Sequence, residues 1–138
     1  MPRTLIILKP DALRRGLVGT ILARFEARGL SFVALEYRML DEAVVKAHYA
    51  EHEGKPFFAE LVAFLTSGPV VVGILAGPAN VVDMVRRMMG ATDPGMSDSG
   101  TIRGDLAMLI GENLIHGSDS AESASREIEL FFPGVAPE

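Results

Sequence analysis

A chain of 138 residues has the length of one domain and enough material to bury a real core. Hydrophobic residues at 49% and charged ones at 22% describe an ordinary globular protein, and a formal net charge of -5 argues against a general nucleic-acid binder, which carries a basic face. The absence of cysteine excludes disulfides, a thiol nucleophile and zinc-thiolate sites, and no leader pattern or apolar stretch of ~20 residues is present, so the expectation is a cytoplasmic protein without a membrane segment.

Thr4 to Leu8 is a continuous apolar run halted by Lys9-Pro10 and predicts a central buried strand. Val18, Ile21, Leu22 and Phe25 follow helical spacing, with Gly29 as the stop. From Val33 to Met39 the odd positions Val33, Leu35, Tyr37 and Met39 share one strand face. Glu36 and Arg38 lie on the other, so one side is expected to be wet or at an interface. Asp41 is placed to cap a helix reaching about His52, and Pro56 to start another carrying Phe57, Phe58, Leu61, Val62 and Leu65 inward. Ser67-Gly68-Pro69 turns the chain into a second buried strand, Val70 to Leu75. Asn80 is placed to cap a helix from Val81 to Met89, closed by Gly90, and Ala91 to Gly100 is a polar loop. Leu114-Ile115 predicts the last short strand. Asp119-Ser120-Ala121-Glu122 resembles a capping box with Asp119 as cap, opening a helix with Ala121, Ala124, Ile128 and Phe131 as its apolar stripe. The order βαβ(αα)βαβα predicts a single α/β domain: a ferredoxin-like sandwich whose helices cover one face of a four-stranded, mostly antiparallel sheet. That fold fixes no function.

Asn113-Leu114-Ile115-His116-Gly117-Ser118-Asp119 places a histidine where a strand ends and a helix begins, a position from which a rigid element aims a side chain. Lys9 stands at the end of the first strand, Arg86 on the helix before the polar loop, Thr92 within that loop and Arg103 just beyond it. Brought together, they are the donors a polyphosphate needs, arginine as a fork and lysine as a point charge. Arg103-Gly104-Asp105 also spells a cell-adhesion tripeptide, a frequent chance match.

The sequence resembles the nucleoside diphosphate kinase family in six blocks. They are Thr4 to Asp11, His48 to His52, Lys55 to Phe58, Ser67 to Val71, Gly100 to Asp105 and Asn113 to Ser120, in the family's order. The resemblance implies a ping-pong phosphoryl transfer with His116 as nucleophile and Ser118 and Glu127 orienting its side of the site. A neutral imidazole offers a lone pair without needing a base. Lys9, Tyr49, Arg86, Thr92 and Arg103 match positions used around the phosphates, and Lys9 and Asn113 those near the sugar. Phe57 and Ile110 would sandwich the base, with Leu61 supporting Phe57, which implies low base and sugar specificity. Mg2+ would arrive on the nucleotide with no dedicated protein cage. The resemblance also implies a homohexamer, with a homotetramer as the alternative: the Val33 to Met39 strand would pair across a two-fold axis, and Pro94 in the polar loop would meet neighbouring dimers. No nucleic acid or membrane partner is implied. Ala12 in place of a usual glycine, Leu106 in place of a phenylalanine, Glu112 in place of a basic residue and the lack of tryptophan depart from the pattern.

Two other classes fit parts of the sequence. His48-Tyr49-Ala50-Glu51-His52 satisfies H-x-x-E-H, the ligand spacing of inverted zinc peptidases. A ferredoxin-like RNA-binding module would need aromatic residues on the sheet and a basic surround, against which stand aliphatic central strands and a net acidic charge.

Overall fold

The computed structural model describes all residues, 1–138. Strand β1 (Arg3–Leu8) leads into a short helix α1 (Pro10–Arg14) and then α2 (Val18–Arg28). Edge strand β2 (Ser31–Arg38) is followed by α3 (Glu42–His48), a 3-10 turn at Ala50–His52, and α4 (Phe58–Leu65). Strand β3 (Val70–Ala76) precedes α5 (Val81–Met89), a 3-10 turn at Pro94–Met96, and α6 (Ile102–Leu106). Strand β4 (Ile115–Gly117) and α7 (Ala121–Phe131) complete the chain. The sheet order is β2-β3-β1-β4 and every pairing is antiparallel.

β1 and β3 are central, so both their faces are buried and both sequences are apolar throughout. One face, with Ile6, Leu8, Val71 and Leu75, packs against Ile21 and Phe25 of α2 and Val81, Val85 and Met89 of α5. The other, with Leu5, Ile7, Val70, Val72 and Ile74, packs against Val45 of α3, Val62 and Leu65 of α4, and Ile128 and Phe131 of α7. Helices therefore cover both faces, not one. A core on each side is what lets two uninterrupted apolar strands be buried in so short a chain.

Local chemistry explains the remaining differences from expectation. Pro10 ends the strand but also occupies the first helical turn, where a missing N–H costs nothing, so α1 forms. Ala12 lies in that helix and its Cβ is fully buried in the core. The helix capped by Asp41, whose side chain accepts from the Val44 N–H at 2.8 Å, stops at His48 instead of reaching His52. Pro56 precedes α4 without entering it. Asn80 stands at the cap position of α5 but makes no side-chain cap bond. Ser120 caps α7 through the Ser123 N–H at 3.0 Å, replacing Asp119 in that role. In β2 a bulge at Val33 shifts the register between Phe32 and Ala34. The side with Arg38 is covered in part, its guanidinium lying 4.8 Å over the Phe132 ring, whereas Val33, Leu35, Tyr37 and Met39 stand exposed. The apolar side of this strand is thus open to solvent, as is Glu36 on the other. Leu106 packs on the first core cluster, and Glu112 pairs with Arg14 at 3.1 Å.

Candidate active site

The strand that carries His116 is only three residues long, and its approach is unusually constrained. Leu114 has φ 74, the one non-glycine residue in the left-handed region, at a local cost of about 1–2 kcal/mol. The surroundings hold it there. Buried Asp11 accepts the Leu114 N–H at 3.0 Å, and the Lys9 N–H donates to the Leu114 carbonyl at 2.8 Å. Arg103 donates Nε to the Asn113 carbonyl at 3.2 Å and a terminal nitrogen to the Ile115 carbonyl at 2.5 Å, while its other terminal nitrogen reaches Gly90 at 3.2 Å. α6, capped by Thr101, thus serves to aim one guanidinium at the backbone around the turn. With three of its five N–H groups in use, two remain. Burial, and then the charge of Arg86, lowers Arg103 to about 10.

This turn opens onto a cavity of about 620 Å3. Lys9, Tyr49, Phe57, Leu61, Arg86, Thr92, Arg103, Ile110, Asn113, His116 and Glu127 all line it, so every residue singled out from sequence except Ser118 meets there. Ser118 lies directly behind: its hydroxyl donates to Glu127 Oε1 at 2.8 Å and accepts the Leu5 N–H at 3.2 Å. Glu127 Oε1 also meets His116 Nε2 at 2.8 Å. A carboxylate only accepts, so Nε2 donates this bond, and Nδ1 has no protein partner. Burial pushes Glu127 up, but the bond and charge of His116 and the Ser118 hydroxyl outweigh it and hold the carboxyl below its usual range.

At the same end, Lys9 Nζ donates to Asn113 Oδ1 at 2.9 Å, and Asn113 Nδ2 donates to the Thr92 carbonyl at 2.9 Å. Arg86 donates to the Gly117 carbonyl at 3.2 Å. Burial, then the charge of Arg103, brings the Lys9 ammonium down to about 8, with Asp11 opposing. Burial, then the charge of Glu127, pushes the Tyr49 phenol up to about 12, so it stays a neutral donor. At the opposite end Phe57 is 44% and Ile110 61% exposed, with Lys55 Nζ 5.8 Å from the Phe57 ring centre.

The other readings of the sequence part company with this geometry. His48 and His52 do not share a helix: His52 lies beside Lys55 and Phe57, while His48 packs edge-on against His116 with ring centres 4.6 Å apart. Both sheet faces are covered, leaving no platform for RNA bases. The adhesion tripeptide is locked, with Arg103 buried and Asp105 bound to Arg24 at 2.9 Å and to the Gly100 N–H at 2.9 Å. Sequence reasoning did not place His48, Arg126, Asp119 or Ser123 in the cavity, nor Asp11 beneath it. His48 adjoins Tyr49 in a matching block, and Arg126 adjoins Glu127, but neither neighbourhood reveals which way a side chain faces.

Comparison with known proteins agrees with the geometry. The family model described as nucleoside diphosphate kinase matches residues 2–136. Nucleoside diphosphate kinases of Thermomicrobium roseum and Roseiflexus castenholzii are each 60% identical over 132 residues, covering 96% of this chain and 88% of theirs. Among solved structures, the Encephalitozoon cuniculi nucleoside diphosphate kinase superposes with a TM-score of 0.93 at 39% identity, covering 96% of this chain and 90% of that one. A halophilic nucleoside diphosphate kinase from Halobacterium salinarum, in complex with CDP, gives 0.91 at 48% identity, covering 94% and 86%. A match over nearly the whole chain, with the histidine, its carboxylate and the cationic residues gathered in one cavity, makes this chain a member of the nucleoside diphosphate kinase family.

Proposed function

We propose that this enzyme transfers the γ-phosphate of a nucleoside triphosphate to a nucleoside diphosphate through a phosphohistidine at Nδ1 of His116. The observation that carries the assignment to His116 is its pair of nitrogens. One is fixed by a buried carboxylate, and the other is free in a cavity lined by Lys9, Arg86 and Arg103. The Nδ1 lone pair attacks the γ-phosphorus, the N–P bond forms, and the bond to the β,γ-bridging oxygen breaks with its electrons leaving on the diphosphate. A terminal oxygen of a second diphosphate then attacks the phosphorus and releases the histidine. Glu127 orients the ring and takes up the positive charge that grows on it, while Ser118 fixes Glu127. Lys9, Arg86 and Arg103, through its two uncommitted N–H groups, neutralise phosphate charge and the Tyr49 hydroxyl donates a hydrogen bond, which is most of what this chemistry asks of a protein. Thr92 supports the same end, and Asn113 and Lys9 face the sugar hydroxyls. Phe57, backed by Leu61, and Ile110 hold the base by apolar contact, so purine and pyrimidine nucleotides, ribo and deoxy, serve alike.

Mg2+ is a hard cation that takes oxygen ligands. Besides Glu127, which is engaged by His116 and Ser118, only Glu51 and Asp119 among the cavity residues are carboxylates, a set that fits an ion carried in by phosphate oxygens. When bound it supplies charge neutralisation at the phosphates. No helix is long and apolar enough to cross a membrane, and we assign the enzyme to the cytoplasm. The exposed apolar side of β2 supports pairing of this edge with a second copy within a homohexamer, or a homotetramer. Pro94 is buried inside its own chain, so the loop offers Met96, 75% exposed, to a neighbour in its stead. Light scattering should report six chains; a monomer would refute the assembly, and four chains would refute only the part given to the loop.

The decisive test of function is incubation with γ-labelled ATP. Uptake of label that is acid-labile and alkali-stable marks a phosphohistidine; acid-stable label, or none, would refute the mechanism.

A further inference from the structure

His48 lines the cavity beside His116, and the phosphoryl transfer gives it no part. It ends α3, is buried, and its Nδ1 is sealed from solvent without any hydrogen-bond partner. Its ring is wedged between His116, with centres 4.6 Å apart, and Phe131, at 5.4 Å. A buried imidazole nitrogen with no partner costs free energy that nothing in its own surroundings returns. Within 4.8 Å of one another lie a ligand atom from each of His48, His116 and Glu127.

Two imidazoles and one carboxylate converging on one point are a recognisable donor set. Mg2+ prefers oxygens and keeps its waters, so it is poorly served here. A borderline ion such as Zn2+ takes imidazole nitrogen and carboxylate oxygen together, and with three protein ligands it keeps a fourth position for water or a phosphate oxygen. The three residues come from α3, β4 and α7, and all three line the cavity, which gives the ion a way in. Ser118 behind Glu127 supplies the outer hydrogen bond that such a carboxylate ligand ordinarily has.

We propose that His48, His116 and Glu127 form a binding site for a divalent transition-metal ion of the zinc type, and that occupancy of this site switches off phosphoryl transfer. Metal on the free nitrogen of His116 takes the lone pair that attacks phosphorus. Metal on the other nitrogen displaces the orienting contact with Glu127 and withdraws electron density from the ring. Either way the ion and the phosphoryl group compete for one imidazole. Metal binding itself needs only the three side chains; the inhibition rests on His116 being the nucleophile.

The test uses Co2+ alone as a spectroscopic probe for the site, and Zn2+ alone for inhibition, with the enzyme as it stands. Co2+ should bind once per chain with the intense visible bands of a four-coordinate nitrogen–oxygen site, and Zn2+ should bleach them. Enzyme first phosphorylated with Mg-ATP and freed of nucleotide should not develop the bands, and they should return when a diphosphate removes the phosphoryl group. In H48Q, Co2+ affinity should fall at least about 100-fold, since losing only an outer partner of a metal ligand costs roughly 10–100-fold. With free Zn2+ held constant by a metal buffer, so that chelation by nucleotide plays no part, Zn2+ should inhibit the wild-type enzyme and inhibit H48Q far less. Six-coordinate Co2+ spectra, equal binding by phosphorylated and free enzyme, or unchanged affinity in a folded H48Q would overturn the site. If H48Q does not fold, the phosphorylation comparison in the wild type decides alone. Binding as expected without inhibition would leave the metal site standing and overturn its role as a switch.

Discussion

At the His116 end of the cavity the key polar side chains are held by other parts of the chain before anything enters, whereas at the Phe57 end Phe57 and Ile110 stand exposed, with His52 and Lys55 beside the Phe57 ring. The first end is paid for in buried polar contacts that must all be made at once; the second is a pair of apolar surfaces that waits for a partner. Rigidity is concentrated where charge must be placed to within a fraction of an ångström, and tolerance where the substrates differ.

The contrast is broken most severely by His116→Ala. The phosphoenzyme should disappear and exchange should fall on the order of 10^6-fold, the size seen when a covalent nucleophile is removed, while thermal melting stays close to wild type. Normal turnover in this variant would end the mechanism. Glu127→Ala leaves the nucleophile but frees its ring, and kcat should drop roughly 10–100-fold with the phosphohistidine still trappable. Wild-type kinetics there would show that the 2.8 Å contact does not matter to the reaction.

Phe57→Ala acts at the other end. It should weaken nucleotide binding by roughly 1 kcal/mol, the low end for loss of one stacking surface, and do so alike for purine and pyrimidine diphosphates in a calorimeter. A penalty confined to one base would reveal a specificity contact beside the Phe57 ring.

The smallest effect is a pH dependence. Lys9 is lowered to about 8 in the free enzyme, against an ordinary 10.5, so it loses its proton as pH rises through 8. Bound phosphate favours the charged form, so binding takes up a proton near and above pH 8, and affinity falls as pH rises. Diphosphate should bind about twofold more weakly at pH 8 than at pH 6.5, with proton uptake visible as a buffer-dependent heat. Lys9→Gln should bind weakly throughout and lose the uptake; an uptake that survives the substitution belongs to another group.

How much of this was legible in the sequence follows from the range over which each signal acts. Central strands announce themselves by unbroken apolar runs, and Gly29, at φ 98, marks the end of α2 because that backbone state suits few other residues. Asp41 and its cap were equally plain. Less visible was anything decided by two distant segments. The exposed apolar side of β2 depends on a one-residue bulge at Val33. The break after His48 reverses the neighbours of the two histidines, and spacing alone reads them as one zinc-peptidase face. Resemblance to the family supplied the residues that meet in the cavity. It did not reveal that Arg103 spends three hydrogen bonds on backbone, nor that Asp11 lies under the turn.

The left-handed leucine at 114 bears on how this enzyme could be altered. A glycine there would sit comfortably, and for that reason would also permit the chain to relax into several other shapes. Leucine tolerates the left-handed state only while Asp11, Lys9 and Arg103 all hold the neighbouring backbone, so loss of any one releases the segment instead of softening it by degrees. The aim of His116 is in effect a latch, engaged or open. Substitutions beneath the cavity should then yield mixtures of fully competent and incompetent molecules, not a uniform population of slightly slower ones.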